Sequence, residues 1–304
     1  MALQTGEFTP PMMHRLAPSL LLPLLQFIAG CASVPLQQTG SLSSYERLQP
    51  ADGLLTKARV SVDKEAVLAA RTVSIVPTTF SAAATTAKLS ERDRRLVANA
   101  VDRSVCIGLS DRFHIVLPPQ TADLTVHVSI ASIVPTDETA AATTKVLDIG
   151  QTVLTSTGVV ESAVPIPSVR VPIGLGGIAL EGEAVDPTGQ QQAAMLWARG
   201  ANSFLGTTRV SRVGDAYELA SSFGDDFSEL LVTGADPFRS KLPSLPTMQR
   251  VKSMFGGAPK ESACDAFGRK GVTDMVAGKF GFPPEWTDDG AQADLQAQAT
   301  NPPR

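Results

Sequence analysis

The chain has 304 residues, 43% hydrophobic and 18% charged, with 26 basic and 30 acidic side chains. That composition excludes collagen, a coiled coil, a polytopic membrane protein and a wholly disordered chain. A net charge of -4 speaks against a nucleic-acid surface, and three cysteines are too few for a disulfide scaffold.

Leu16 to Gly30 is the longest apolar run. It is interrupted by Pro18 and Pro23, preceded by His14-Arg15, and shorter than the roughly 20 residues a spanning helix needs. A basic start, an apolar middle and small residues at the end predict a signal peptide over 1–30. The run closes on Ile28-Ala29-Gly30-Cys31, which resembles a lipoprotein signal. Cleavage is expected between Gly30 and Cys31, with the Cys31 thiol carrying a diacylglyceryl group. A start at Met12 or Met13 accounts for the unusual stretch before them. Several acyl chains on Cys31 suffice for stable anchoring. Ala32 after the Cys, rather than Asp, favours the outer membrane by resemblance to lipoprotein sorting. The expected membrane contact is therefore through Cys31.

Ser, Gln and Gly dominate the stretch after Ala32, so 31–48 is expected to be a tether. The core domain is expected over 49–235. Arg71–Phe80 reads as a strand ending near Pro77. Ser90 caps a helix that runs to Phe113, with Val97, Val101 and Val105 on its apolar face and Asn99, Asp102 and Cys106 on its polar face. Ala122–Val134 alternates strictly and predicts a half-buried strand. Periodicity is lost over 135–169, expected to be a loop insertion. Gly177–Val185 and Gln190–Trp197 flank the turn Asp186-Pro187-Thr188-Gly189, a hairpin candidate. Asp215 with Glu218 resembles a capping box, and Leu219, Phe223, Phe227 and Leu230 define a helix over 215–232. A C-terminal extension over 236–282, with short helices near 246–254 and 261–277, precedes a tail from 283 expected to be disordered. The order predicts a single α+β domain, an antiparallel or mixed sheet with two amphipathic helices on one face.

Chemistry-bearing residues are sparse. Cys106 lies on a polar helix face, and an exposed thiol in an oxidising compartment rarely stays free. It can pair with Cys264, the one other cysteine after Cys31, or both can remain thiols. His114 and His127 could act as a base or metal ligand, but zinc needs three or four ligands, so solvent-facing strand positions are expected. Asp225, Asp226 and Glu229 are expected to form a solvated charged face. Gly174, Gly176 and Gly177 precede a strand and lack a following Lys-Ser/Thr, which fits flexible backbone rather than a phosphate loop. Met195 and Trp197 are expected in the core. No cofactor and no metal is expected.

Gly40-Ser-Leu-Ser-Ser-Tyr45-Glu-Arg-Leu48, Ala122-Asp-Leu-Thr-Val126 and Glu181-Gly-Glu-Ala-Val-Asp-Pro-Thr-Gly189 resemble the bacterial lipoproteins of domain-of-unknown-function family 3313. The resemblance covers roughly 38–232 and implies an exported lipoprotein with no established activity. It supplies no site residue. The expected role is a non-enzymatic structural or interaction one, with an envelope protein as partner. A lipoprotein binding a small ligand or lipid is the alternative, and a hydrolase a distant third.

Overall fold

In a computed structural model of the protein, the described residues are 33–85, 88–117, 120–156, 170, 173–203, 207–239, 251–252 and 257–288. The signal peptide, Gly30 and Cys31 lie outside them. Eight strands form one mixed sheet: β1 (Gln49–Pro50), β2 (Lys57–Val62), β3 (Thr72–Ile75), β4 (Thr79–Phe80), β5 (His114–Ile115), β6 (Leu124–Val134), β7 (Gly177–Val185) and β8 (Gln191–Gly200). Their order is β1-β2-β8-β7-β6-β3-β5, with β4 also beside β6. The β3–β5, β3–β6 and β4–β6 pairs are parallel, and the rest are antiparallel. The helices are α1 (Lys64–Ala69), α2 (Ala82–Thr85), α3 (Glu91–Leu109), α4 (Glu138–Ser156), α5 (Gly214–Thr233) and α6 (Val272–Lys279). The α+β class read from the sequence holds, with α3 and α5 packed together over one face of the sheet.

The long strands place alternate residues on that face. Ile178, Leu180 and Ala184 of β7 join Ala193, Met195 and Trp197 of β8 in the main core. Gly182 between them leaves room for the rings of Phe223 and Phe227, which a Cβ would meet at 3.0–3.2 Å. The alternation of β6 is not unbroken. The pairing with β7 slips between Ile130 and Ser132, so Ile133 rather than Ser132 returns to the core and Val134 turns outward. A bulge of one residue exchanges the faces beyond it.

Helix α3 begins with a reciprocal capping box between Ser90 and Asp93. It meets α5 at very close range. A Cβ on Gly224 would lie 2.1 Å from Ser104 Oγ, and one on Gly108 would lie 2.4 Å from Ser228 Oγ. Each serine also donates to a carbonyl of the facing helix, Ser104 to Ala220 at 2.9 Å and Ser228 to Val105 at 3.3 Å.

Four expectations need correction. Residues 33–48 are not a free tether. Val34, Leu42 and Leu48 are buried against the second face of the sheet, beside Ala179, Ala194, Leu196 and Ala198. The segment 135–169 is not a loop throughout, because α4 occupies 138–156, while 157–169 lies outside the described residues. The run of Ala and Thr looked low in complexity, yet Ala is the best helix former and Asp137 caps the helix by accepting from Ala140 N–H at 3.0 Å. The C-terminal extension does not form one helix over 261–277: a 3₁₀ turn over Ser262–Phe267 ends at Gly268, whose φ is +73°, and α6 follows. The expected helix near 246–254 falls almost wholly outside the described residues. Finally, 283–288 is ordered, with a 3₁₀ turn at Pro284–Trp286, and 289–304 lies outside the described residues.

Candidate functional site

The polar face of α3 is the starting point. Asn99, Asp102, Arg103 and Cys106 are all buried, because the C-terminal segment 257–288 lies over them or, for Asp102, because Thr78 does. The sequence pattern places Cys106 correctly on the polar side but not in solvent. The structure joins Cys106 to Cys264, 158 positions away, with Cα atoms 5.7 Å apart. Asn99 donates to the Phe267 carbonyl at 3.0 Å. Arg103 donates to Asp288 at 2.6 Å, and Tyr217 donates to the same carboxylate at 2.8 Å. Burial pushes the Tyr217 phenol well above its usual value, so it stays protonated and available as that donor. Arg209 bridges Glu218 of α5 at 2.6 Å and Asp274 of α6 at 3.0 Å. A buried cation is tolerated only when paired, and each of these arginines is spent on joining the extension to the helices.

Between α3, α5 and α6 these contacts leave a cavity of about 280 Å³. Ala100, Ile107, Met275 and Gly278 supply apolar wall, while Arg209 and Lys270 stand on the polar side. The ammonium of Lys270 lies 4.5 Å from the Tyr217 ring centroid. Two of the hydroxyls in the wall, those of Ser104 and Ser221, donate to the carbonyls of Ala220 and Glu218. The space suits one small, largely apolar molecule, at or below the lower end of the roughly 300–1,000 Å³ common for ligand sites.

The second face of the sheet carries the other concentrated polar site. Glu181 and Glu183 project from β7 toward the strap 33–48. Glu181 accepts from Thr39 N–H at 2.7 Å, Thr39 Oγ1 at 2.8 Å, Tyr45 Oη at 2.9 Å and Ser41 N–H at 3.2 Å. Glu183 accepts from Ser43 N–H at 2.8 Å, Ser43 Oγ at 2.9 Å and Gln191 Nε2 at 2.7 Å. Two buried carboxylates are thus filled with donors from a segment about 140 residues earlier. Burial raises the Tyr45 phenol above its usual value, and the neighbouring Glu181 adds to that shift.

The remaining sequence candidates are dispersed. His127 faces Glu183 across the β6–β7 ladder on the strap side, whereas His114 is exposed and contacts Glu261 at 2.7 Å. Among the described residues no cluster of His, Cys, Asp or Glu is placed to hold a metal. Nor is any described helix long and apolar enough to cross a membrane. Asp226 departs from the expected solvated face: it is largely buried and accepts from the Trp197 indole N–H at 2.7 Å. Burial raises its carboxyl from 3.8 to about 6. Asp215 is not a capping residue. Val213 precedes α5 without a side-chain cap, and the Asp215 carboxylate instead binds Arg170 at 2.8 Å, Thr136 Oγ1 at 2.9 Å and the Gly176 N–H at 2.7 Å. Gly176 is therefore held rather than flexible, and a Cβ there would lie 2.6 Å from Thr136 Oγ1. Sequence reasoning missed Arg103, Arg170 and Arg209. The legible signal was Glu181 and Glu183 themselves, two charges inside an otherwise apolar strand.

A family model described as a protein of unknown function, DUF3313, matches residues 37–227. The extension over 257–288 falls beyond that match. No curated protein matches the sequence. Two crystal forms of the PelC dodecamer from Paraburkholderia phytofirmans, one of a point variant, are similar in part. They are 9% and 7% identical, cover 59% of this chain and 98% of theirs, and have a TM-score of 0.32 in both cases. At that score the likeness carries no argument about role or assembly.

Proposed function

The chain belongs to DUF3313, a family of proteins of unknown function, and from that premise we propose that it is a lipid-anchored envelope protein. In this reading it faces the periplasm from the outer membrane and acts by holding a partner rather than by catalysis. The observation that carries the reading is the strap. Ser33 is two residues from Cys31, and the buried Val34 follows at once. From Cys31 to Val34 is three residues, which span at most about 11 Å, so acyl chains on Cys31 hold the folded body at the bilayer with little slack. The way buried charge is used agrees with a non-catalytic role. Arg103, Arg170, Arg209, Glu181 and Glu183 all fasten one segment to another.

The test is metabolic labelling with a fatty-acid analogue. The intact protein takes up label and fractionates with the outer membrane, and Cys31→Ala does neither; label retained by that variant sinks the reading. Crosslinking of the anchored form is expected to recover one defined envelope protein. The cavity favours a second reading, in which a small apolar ligand binds between α3, α5 and α6. Native mass spectrometry of protein purified from its own envelope distinguishes the two by the presence of a stoichiometric small molecule.

A further inference from the structure

One end of the sheet gathers more than the anchor. β6 ends at Val134, which pairs with Gly177, which pairs in turn with Gly200. Val34 of the strap packs on Gly177 and, among the described residues, is the side chain nearest in sequence to Cys31 that lies in the core. The loops leaving this end hold the C-terminal extension. Thr136 N–H donates to the Arg212 carbonyl and so joins two of these loops, while Val210 N–H donates to the Gly281 carbonyl and Lys145 of α4 to the Lys279 carbonyl, both in the extension. What they hold is an aromatic cluster. Phe280, Phe282 and Trp286 are 58%, 45% and 70% exposed. Their rings lie in mutual contact, Phe280 to Phe282 at 6.4 Å and Phe282 to Trp286 at 5.4 Å between centroids. Ile173, before the buried Leu175, and Val146 of α4 are also exposed at this end.

We infer that this aromatic end of the domain docks directly on the lipid surface to which Cys31 is anchored. The inference rests on the proposed anchoring. Large exposed rings cost free energy in water, and Trp and Phe partition into the bilayer interface, where an apolar body is buried. An anchor within about 11 Å of the domain delivers the same end of the sheet to that interface and raises the local lipid concentration. A single ring cluster binds weakly by itself, so it orients the domain while the acyl chains retain it. With this end down, β5 and the Asp186–Gly189 turn point toward the periplasm.

The probe is vesicles of phosphatidylethanolamine and phosphatidylglycerol containing lipids brominated along their acyl chains. The protein used is the chain from residue 31 with Cys31→Ser, which carries no lipid. Flotation with the vesicles and quenching of Trp286 fluorescence are expected. Trp197 is buried and escapes quenching, so the loss of quenching in Trp286→Phe identifies the source. Phe280→Ser with Phe282→Ser and Trp286→Ser should weaken flotation at least tenfold. Unchanged Trp197 fluorescence shows that this variant still folds. Flotation equal to that of the triple variant, or absence of quenching, overturns the inference. So does concentration-dependent dimerisation that the triple variant abolishes, since the patch would then bury a second copy. Labelling at Cys31 separates the two readings: label without vesicle binding leaves anchoring standing and removes docking, and vesicle binding without label does the reverse.

Discussion

Ser104 of α3 sits in the space left by Gly224 of α5, and its hydroxyl donates to the Ala220 carbonyl one turn earlier. The two helices are therefore too close for a side chain at Gly224. Gly224→Ala would set a methyl 2.1 Å from Ser104 Oγ and 2.8 Å from the Ser104 backbone. It should cost about 1–3 kcal/mol, the usual range for overpacking. Urea denaturation reads this as a lower midpoint. Adding Ser104→Gly should recover only part of the loss, because the backbone contact remains. A full recovery would place the strain in the side chain alone.

The Cys106–Cys264 bond closes a loop of 158 positions. In the chain-entropy view such a bond stabilises by about 5 kcal/mol at most, by restricting the unfolded chain. Cys264→Ser should lower the melting temperature and make 257–288 sensitive to protease. The ionic contacts of Arg103 and Arg209 persist in that variant, so the extension is expected to open locally before the sheet melts. Coincident loss of both would show that the extension and the sheet form one cooperative unit.

Glu181 accepts four hydrogen bonds from the strap. Glu181→Gln keeps the shape but turns one oxygen into an amide donor facing other donors. A loss of about 2–3 kcal/mol is expected, in the range for hydrogen bonds to charged groups. Hydrogen exchange at Thr39 and Ser41 should accelerate far more than exchange within α3. Equal acceleration in both would mean that the strap is not a separate element.

Asp226 gives a pH signature. Its carboxyl is held at about 6 when folded against 3.8 in its ordinary state, mainly through burial. The protonated form thus favours folding. That contribution is complete below pH 3.8 and is lost as pH rises through about 6. Asp226→Asn preserves an acceptor for the Trp197 indole and removes the charge. It should stabilise by about 2 kcal/mol at pH 7.5 and by close to nothing at pH 4, read from urea midpoints at the two values. An equal gain at both would assign the effect to packing.

Much of the architecture was legible because it rests on local periodicity. Val97, Val101 and Val105 mark one face of α3, and the Asp186–Gly189 turn fixes the β7–β8 hairpin. What could not be read depends on contacts distant in sequence. Asn99, Asp102 and Arg103 look like a solvated face until residues from 267, 78 and 288 arrive to bury them. The same holds for Asp226, whose partner Trp197 lies on a different element. The bulge in β6 leaves no mark on the sequence pattern, because Ala131 is small enough to sit on either face. The strap reads as a tether because Ser, Thr and Gly usually signal solvated chain. Here their backbone and hydroxyl donors answer two carboxylates.

That arrangement imposes an order of assembly. Thr39 and Ser43 are synthesised long before Glu181 and Glu183, about 140 residues later, and have no binding surface until β7 exists. The earliest part of the folded body to be made is then among the last to settle. Contacts so far apart in sequence slow folding. During that interval the half-made sheet shows its small-residue face, Ala179, Ala194 and Ala198, bare. A chaperone that guards this face until the N-terminal strap closes over it would meet the chain at its most vulnerable moment.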